Sequence, residues 1–452
     1  MPNLTFPKDF KWGVACSAFQ LEGGTYEGGK SENIREHGFR DPEQRSHFRD
    51  TRSPDVIADF YHKYPEDFAL FQELGTNTFR FSIAWTRICP DISCKPNQAG
   101  IDYYNGMIDS MIEHGMTPFF DLWHSDLPQW VLDNGGSPSE NFVKWFSSFA
   151  EICFREFGDR VKLWSTVNEP KLTVYGAYAH AHGAPYMYDL ELALKATRNM
   201  ILAHFECVKI LRKLWPDAKI GSVHCTGSNY CMSFEPEDIA AAKRHEAAQL
   251  LFLEPMMLGK FPQELLDYPD FAKYIKPEYI QQVKENFVPM DFFGLNYYSS
   301  GCCRSGNDSA YGTAGIPTPW EKDAYGFTSY PAGLFDLLMT LNKRYNGTPM
   351  YVTENGYTYR REDVFNMDLT PFHHDDKRIA YIREHLRSCA RAIQAGVNLK
   401  GYYYWSAMDC WESGLGYGFP MGLVGVNFDT LERVPRDSFY YYQKVIANNM
   451  VD

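Results

Sequence analysis

Short runs of β-branched and aromatic residues recur along the whole chain and predict eight β-strands. They occupy residues 12–19, 78–85, 117–123, 161–167, 219–224, 291–297, 349–353 and 399–405. Several of these runs are apolar at nearly every position, without regular alternation with polar residues. That pattern is typical of parallel strands covered on both faces of a sheet.

Segments with the 3.6-residue period of helices lie between the predicted strands. They include residues 56–74, 101–114, 140–157, 190–214, 331–345 and 376–395. Pro65 interrupts the first of them, and we expect a break or a kink there because proline has no backbone N–H to donate. Strands and helices that alternate eight times predict an α/β fold, a single (β/α)₈ TIM barrel over residues 1–452 with long βα loops.

Two long irregular segments, residues 22–53 and 300–327, each follow the end of a predicted strand. Both are rich in Gly, Asp, Ser and Pro. Loops of this length in a compact domain are usually functional rims or lids, and we expect them to border a site. The alternative is that they are tolerated insertions on the surface.

Composition and charge exclude several classes of protein. The formal net charge of −13 and the pI near 5.5 would repel a phosphate backbone, so nucleic acid is not an expected partner. No apolar stretch reaches the roughly 20 residues of a membrane span, and no secretory signal is recognisable. The 11 cysteines include no C-x-x-C spacing, and we interpret them as reduced thiols of a cytoplasmic protein.

Two glutamates each end a short apolar run, at the C-terminal ends of the fourth and seventh predicted strands. They are Glu169, in Thr-Val-Asn-Glu-Pro, and Glu354, in Thr-Glu-Asn-Gly. In a barrel the C-terminal strand ends form the active-site face. Two carboxylates at that face are what glycoside hydrolysis requires, although either one alone could be an ordinary salt-bridged residue.

Other polar or aromatic residues lie at or just beyond predicted strand ends and should converge on the same face. They are Gln20, His124, Asn168, Asn296, Trp405 and Glu412. Carboxamides, an imidazole and an indole are groups that bind sugar hydroxyls and the apolar face of a sugar ring. A lone histidine or tryptophan is more often a core residue, so the prediction depends on all six positions together.

At this point the chain resembles glycoside hydrolase family 1, the β-glucosidase-type enzymes. The resemblance covers nearly the whole length and is carried by T-V-N-E-P at 166–170, T-E-N-G at 353–356, F-K-W-G at 10–13, Y-H-K-Y at 61–64, F-R-F-S at 79–82 and R-D-S-F at 436–439. It implies a β-glycosidase that needs no metal or organic cofactor and acts on a small-molecule β-glycoside or an oligosaccharide. The sequence leaves open whether the chain forms a homo-oligomer.

The resemblance also implies roles for individual residues. Glu169 would be the general acid/base and Glu354 the nucleophile, with Arg80 and Tyr298 in contact with the nucleophile. Gln20, His124, Asn168, Asn296, Trp405 and Glu412 match the family's binding residues for the non-reducing sugar. A retaining mechanism would place the two carboxylates roughly 5 Å apart.

Two serines depart from the family pattern. Ser125 and Ser413 stand where the family usually has tryptophans that wall the pocket of the non-reducing sugar, which we call the glycone pocket. Their small side chains predict an enlarged pocket for a decorated or non-glucose sugar. The alternative is that Trp411, Phe419 or a loop residue refills the space.

A third departure from the family pattern lies at the fifth strand, where the family commonly has an asparagine on the leaving-group side of the site. This chain has His224-Cys225, and both residues could simply be exposed. The leaving-group preference therefore cannot be transferred from the family.

Two other functions stay open. A branch of the family hydrolyses 6-phosphoglycosides with a serine, a lysine and a tyrosine at positions that are Glu412, Phe419 and Met421 here. A carboxylate would repel a phosphate and no local cation replaces the lysine, which disfavours this branch. From a different class, the chain could be a catalytically silent sugar-binding barrel.

Overall fold

Eight parallel strands form a closed barrel in the computed structural model, which describes residues 3–360, 371–412 and 414–452. In chain order they are β1 Lys11–Ala15, β2 Thr78–Ser82, β3 Thr117–Asp121, β4 Leu163–Asn168, β5 Lys219–Cys225, β6 Phe292–Asn296, β7 Met350–Asn355 and β8 Leu399–Trp405. Each strand pairs with its neighbours in sequence, and β8 closes on β1. The predicted (β/α)₈ fold is confirmed.

Long helices surround the barrel and connect its strands. Those of ten or more residues within the described ranges are α1 Phe60–Leu74, α2 Gln98–Glu113, α3 Phe142–Phe157, α4 Leu190–Leu214, α5 Pro236–Gln249, α6 Pro277–Asn286, α7 Pro331–Arg344, α8 Asp376–Gln394 and α9 Asp437–Asn448. Shorter helical segments are Ala18–Leu21, Ile34–Arg40, Arg45–His47, Trp85–Ile88, Gln129–Asp133, Lys171–Tyr175, Gly176–Ala179, Leu253–Leu258, Gln263–Leu266 and Pro269–Ala272.

Helix α4 shows how local sequence sets an element. It begins where the Asp189 side chain accepts a hydrogen bond from the backbone N–H of Leu192 at 3.0 Å, and it ends with Arg212 and Lys213 in its last turn. A carboxylate at the start of a helix and cations at its end both interact favourably with the helix dipole. The predicted span of this helix, residues 190–214, matches the structure.

The helix does not break at Pro65, so that alternative is wrong, and a kink there stays a prediction. Helix α1 runs from Phe60 to Leu74 with Pro65 inside it, although it begins four residues later than predicted. Proline removes one helical hydrogen bond. Phe68 and Phe71, on the same helix, are fully buried and keep the segment helical by packing.

Aromatic side chains from non-adjacent strands fill the lumen below the mouth of the barrel. The Phe119 ring of β3 lies 5.6 Å from the Phe292 ring of β6 and 5.6 Å from the Tyr403 ring of β8, measured between centroids. The lumen is therefore a packed core, as barrels of eight strands require, and chemistry is confined to the mouth above it.

Outside the barrel, the described residues form three small sheets. They pair Leu4–Thr5 with Met450–Val451, Gly301–Ser305 with both Asn229–Cys231 and Thr313–Ile316, and Val424–Val426 with Arg433–Pro435. Two of these strands fall inside residues 300–327, so this predicted irregular segment is partly a sheet. Of the helices in the described part of the chain, none combines the length and apolar character needed to cross a bilayer.

Candidate active site

A cavity of about 620 Å³ opens at the C-terminal ends of the strands. Its volume is in the range of small-molecule sites. Nine residues predicted for the site line it: Gln20, His124, Ser125, Asn168, Glu169, Tyr298, Glu354, Trp405 and Glu412. Cys225, from the third departure, lines it as well. The structure thus brings together residues that are spread over almost the whole sequence.

Glu354, at the end of β7, is held by two donors. Arg80 donates from Nη1 to Glu354 Oε1 at 2.7 Å, and the Tyr298 hydroxyl donates to Oε2 at 2.6 Å. Burial raises the pKa of Glu354, while the Arg80 charge and the Tyr298 hydrogen bond both lower it. The pKa of Glu354 stays above its ordinary value, but the two donors favour its ionised form against the effect of burial.

Glu169 contacts neutral groups at close range. The Asn296 amide donates to its Oε1 at 2.8 Å, and the Cys225 thiol also hydrogen-bonds to its carboxylate. Burial raises the pKa of Glu169, and the Asn296 amide, the more distant charge of Arg80 and the Cys225 thiol lower it only in part. A buried carboxyl surrounded by uncharged donors is suited to carry a proton at moderate pH.

The backbone of Glu169 is in an unusual conformation. Its φ is +50°, in the left-handed region that non-glycine residues seldom adopt. The Glu169 N–H donates to the carbonyl of Val223 at 2.9 Å, and the N–H of Leu172 donates to the Glu169 carbonyl at 2.9 Å. Such strain costs of order 1 kcal/mol and persists at functional sites where the surroundings hold it.

Arg80 and Asn296 lie behind the cavity wall and support the residues that line it. Arg80 Nη2 contacts Asp121 at 2.5 Å and Asn168 Oδ1 at 2.7 Å, and Asn296 Nδ2 donates to the same Asn168 oxygen at 2.9 Å. The Asn296 carbonyl oxygen accepts from Thr353 at 2.8 Å. Asn296 therefore orients the site in this structure, and its contact with a sugar stays a prediction.

The remaining predicted binding residues form one side of the cavity. The His124 and Trp405 rings are stacked with centroids 5.4 Å apart, and His124 Nε2 lies 3.1 Å from Asn168 Nδ2. Gln20 accepts a hydrogen bond from Ser17 at 2.8 Å. Burial raises the pKa of Glu412 to about 7, against the lowering effect of nearby hydrogen-bond donors. These groups offer a ring face and polar atoms suited to a sugar.

The two serines differ in what the structure describes. Ser125 lines the cavity with φ of +67°, whereas Ser413 lies outside the described residues. Trp411 is buried, packs against Phe19 with centroids 5.4 Å apart and is absent from the cavity wall. Phe419 packs on the Tyr325 ring at 5.6 Å and is absent from the cavity wall.

Sequence reasoning missed the loop residues that complete the wall. They come from the two long segments, from residues 181–186 and from beyond β8: Ile34, Arg35, His47, Phe48, Tyr186, Tyr325, Phe327 and Met421. No cation near Glu412 was expected, yet Arg35 is one. A local signal was present, because Asn33 and Glu36 have the spacing of a helix capping box that fixes where Arg35 lies.

At β5, His224 and Cys225 have different environments. Cys225 faces the cavity, and burial raises the pKa of its thiol, as do Glu169 and Glu354. His224 is buried and hydrogen-bonds to Ser222 at 2.7 Å, so the alternative that it is exposed is wrong. Among the described residues, no group of three or more His, Cys, Asp or Glu side chains could hold a metal ion.

Comparisons with known proteins agree with the geometry. The family model of glycosyl hydrolase family 1 matches residues 3–451. Beta-glucosidase A from Acetivibrio thermocellus is 37% identical over 99% of this chain and 100% of its own length. The 6-phospho-beta-glucosidase GmuD from Bacillus subtilis is 33% identical, with 98% of both chains covered.

Two solved structures are similar to this chain over nearly its whole length. The Thermotoga maritima family 1 glycoside hydrolase, complexed with a cyclophellitol analogue transition state mimic, superposes with a TM-score of 0.93 at 33% identity and full coverage of both chains. A beta-glucosidase from Thermotoga maritima in complex with deoxynojirimycin gives a TM-score of 0.92 at 33% identity, covering 99% of this chain and 100% of that one.

Proposed function

Because the chain belongs to glycosyl hydrolase family 1, we propose that it hydrolyses β-glycosides with retention of configuration, through a covalent glycosyl intermediate on Glu354. Its membership and its relatives make it a glycoside hydrolase of the β-glucosidase type. The expected substrate is a small-molecule β-glycoside or an oligosaccharide.

The unequal surroundings of the two glutamates carry this proposal. Glu354 receives hydrogen bonds from a guanidinium and a hydroxyl, whereas Glu169 receives them from an amide and a thiol. Both pKa values are raised by burial, but only Glu354 has a cation in direct contact. Between the two, the ionised form is therefore favoured at Glu354 and the protonated form at Glu169.

The chemistry follows from that division. Glu354 attacks the anomeric carbon while Glu169 donates its proton to the leaving oxygen. Glu169, now ionised, removes a proton from the water that attacks the glycosyl intermediate and restores free Glu354. A separation of roughly 5 Å between the two carboxylates, which leaves no room for a water in the first step, stays a prediction.

Replacing the nucleophile tests the assignment directly. Glu354→Gly should abolish ordinary turnover but, with azide and an activated β-glycoside, should produce the α-glycosyl azide, because azide enters from the face that Glu354 occupied. A β-configured azide would contradict the nucleophile assignment. As a control, Glu321→Gly removes an exposed glutamate that pairs with Lys377 away from the cavity, and it should retain turnover.

We further propose that the glycone pocket is enlarged at Ser125 and Ser413. The position of Ser125 on the cavity wall supports this, as does the packing of Trp411 into the core. The competing possibility rests on loop residues such as Phe48 and Tyr325, which also line the cavity. A Ser125→Trp, Ser413→Trp double variant should lose activity on substituted glycosides more than on plain glucoside. The proposal fails if the parent enzyme already prefers the plain glucoside and the double variant gains no activity on it.

The 6-phosphoglycosidase alternative has one observation in its favour, a relative that bears that name. Against it, Glu412 remains a carboxyl in the cavity wall and Phe419 supplies no charge. Release of nitrophenol from plain and 6-phosphorylated nitrophenyl β-glucosides separates the two activities. Silence on a whole panel of β-glycosides would favour the non-catalytic sugar-binding barrel.

A cytoplasmic location remains part of the proposal. All 11 cysteines are free thiols in the structure, which fits a reducing compartment. Fractionation of the native host with immunodetection of this chain tests the location, and recovery from the medium would contradict it.

A further inference from the structure

Arg35 brings a positive charge into the cavity wall beside Ser125 and Glu412. It is the second residue of the helix Ile34–Arg40, whose start is fixed by the capping box of Asn33 and Glu36. The Ile34 N–H donates to the Leu127 carbonyl at 2.9 Å, which ties this helix to the segment that carries Ser125. The backbone therefore positions Arg35 at this wall.

Within the described residues, the Arg35 guanidinium has no hydrogen-bond or ion-pair partner. Its Nε is buried without a hydrogen bond, and no ion pair joins its side chain to any residue of 3–360, 371–412 or 414–452. Two other arginines of the same loop are paired: Arg40 with Glu32 at 2.7 Å, and Arg45 with the Phe48 carbonyl at 2.8 Å. A buried charged donor without a partner is costly, so one that borders a cavity indicates a ligand acceptor.

The charge balance of this wall limits what the ligand can be. Glu412 is near enough to act on the pKa of Arg35, which burial lowers and Glu412 raises, but it forms no ion pair with it. Because burial raises the pKa of Glu412 to about 7, that carboxyl is only partly ionised near neutral pH. One guanidinium can then neutralise a single negative charge, whereas a phosphate monoester carries close to two.

We propose that Arg35 binds a singly charged anionic group, a carboxylate or a sulfate ester, at the outer end of the glycone. Ser125 leaves space beside the guanidinium for such a substituent and adds a hydroxyl that can donate to it. Arg35 would then determine specificity for acidic β-glycosides. This inference rests on the proposed β-glycosidase function, since it names the substrate class of the same cavity.

Matched substrates and variants test the inference. The wild type, Arg35→Gln and Arg35→Lys are assayed on 4-nitrophenyl β-glucoside, β-glucuronide, β-glucoside 6-sulfate and β-glucoside 6-phosphate. Arg35→Gln should lower kcat/KM on the glucuronide or the 6-sulfate about 10- to 100-fold, the effect of one charge-assisted hydrogen-bonding group. It should change kcat/KM on the neutral glucoside by less than about threefold, and Arg35→Lys should recover part of the loss.

A second arginine of the same loop supplies the control. Arg52 has an exposed ion pair with Asp429 at 3.1 Å and lies outside the cavity wall. Arg52→Gln makes the same change of charge and should leave the ratio of activities on charged and neutral glycosides unaltered. Equal losses on all substrates in Arg35→Gln, or a selective loss on the phosphate alone, would overturn the proposal.

Two further experiments test which side of the substrate carries the charge that Arg35 binds, and whether the binding can be seen without catalysis. A 4-carboxyphenyl β-glucoside carries its charge on the leaving group, and selective loss on it would assign Arg35 to that side and refute the glycone assignment. Calorimetry with D-glucuronate, D-glucose 6-sulfate and D-glucose measures binding without turnover. Tighter binding of either anion than of glucose that disappears in Arg35→Gln supports the anion site even if no glycoside is hydrolysed, whereas equal binding of all three refutes it.

Discussion

The Tyr298 hydroxyl should set the acid side of the pH dependence. It donates to Glu354 Oε2 at 2.6 Å, and it is one of the groups that lower the pKa of Glu354 against the raising effect of burial. Tyr298→Phe removes this donor but keeps the ring, which is stacked on Phe327 with centroids 5.2 Å apart. The change should therefore raise the pKa of Glu354 without emptying the wall.

The size of the effect follows from the strength of the lost bond. A hydrogen bond to a charged group contributes about 1.5–3 kcal/mol, and one pKa unit corresponds to about 1.4 kcal/mol, so the pKa of Glu354 should rise by about 1–2 units. In the proposed mechanism Glu354 must be ionised to attack. Activity is lost as the pH falls through its pKa, so the acid limb of kcat/KM should move up by about the same 1–2 units.

The assay is kcat/KM on 4-nitrophenyl β-glucoside from about pH 4 to about pH 9, where both limbs are accessible. Tyr345→Phe is the matched control, because its buried hydroxyl also contacts a carboxylate, Glu254 at 3.4 Å, but away from the cavity. The control should keep the parent's acid limb. A loss in Tyr298→Phe that is the same at every pH, with the acid limb unmoved, would refute the reasoning.

Three further predictions follow from other contacts. Glu169→Ala should lose more activity on alkyl β-glycosides than on dinitrophenyl β-glycosides, because only poor leaving groups need its proton, and equal losses would count against that role. Cys225→Ala removes a donor that lowers the pKa of Glu169, so the alkaline limb should move up by less than about one pH unit, because a thiol is a weak donor, and a downward shift would contradict it. Arg433→Gln leaves the buried Asp67 carboxylate without its partner and should cost about 3 kcal/mol in urea unfolding. Arg155→Gln, which breaks an exposed pair, should cost less than about 1 kcal/mol, and equal costs would show that burial does not matter here.

The barrel was predictable because its strands leave a strong local pattern. Runs of β-branched and aromatic residues, several of them continuously apolar, marked all eight strands, and each corresponds to a strand of the structure. The ends of the strands were less predictable. Residues 12–19 were expected as one strand, but β1 ends at Ala15 because Ala18–Leu21 forms a short helix. Helix α5 was not predicted, since its buried positions include alanines such as Ala241 and Ala247, which give little hydrophobic periodicity.

The site was predictable only where residues follow strands directly. Glu169 and Glu354 end strands, so their motifs and the barrel geometry together placed them in one cavity. Arg35 and Tyr325 reach the same cavity from long loops, whose course depends on tertiary contacts and not on local pattern. The capping box at Asn33 predicts a helix in the first loop, but it does not predict which wall that helix adjoins.

The difference between the two glutamates is a property of the closed barrel. Arg80 comes from β2 and Glu354 from β7, two strands separated by β8 and β1 around the ring. Their 2.7 Å contact crosses the mouth and exists only when all eight strands have paired. Because the pKa of Glu354 depends on that contact, whereas the donors to Glu169 are neutral groups of β5 and β6, closure of the fold gives the proposed nucleophile a charged partner that the proposed acid lacks. Sequence motifs can name both residues, but only the assembled barrel gives them different chemistry.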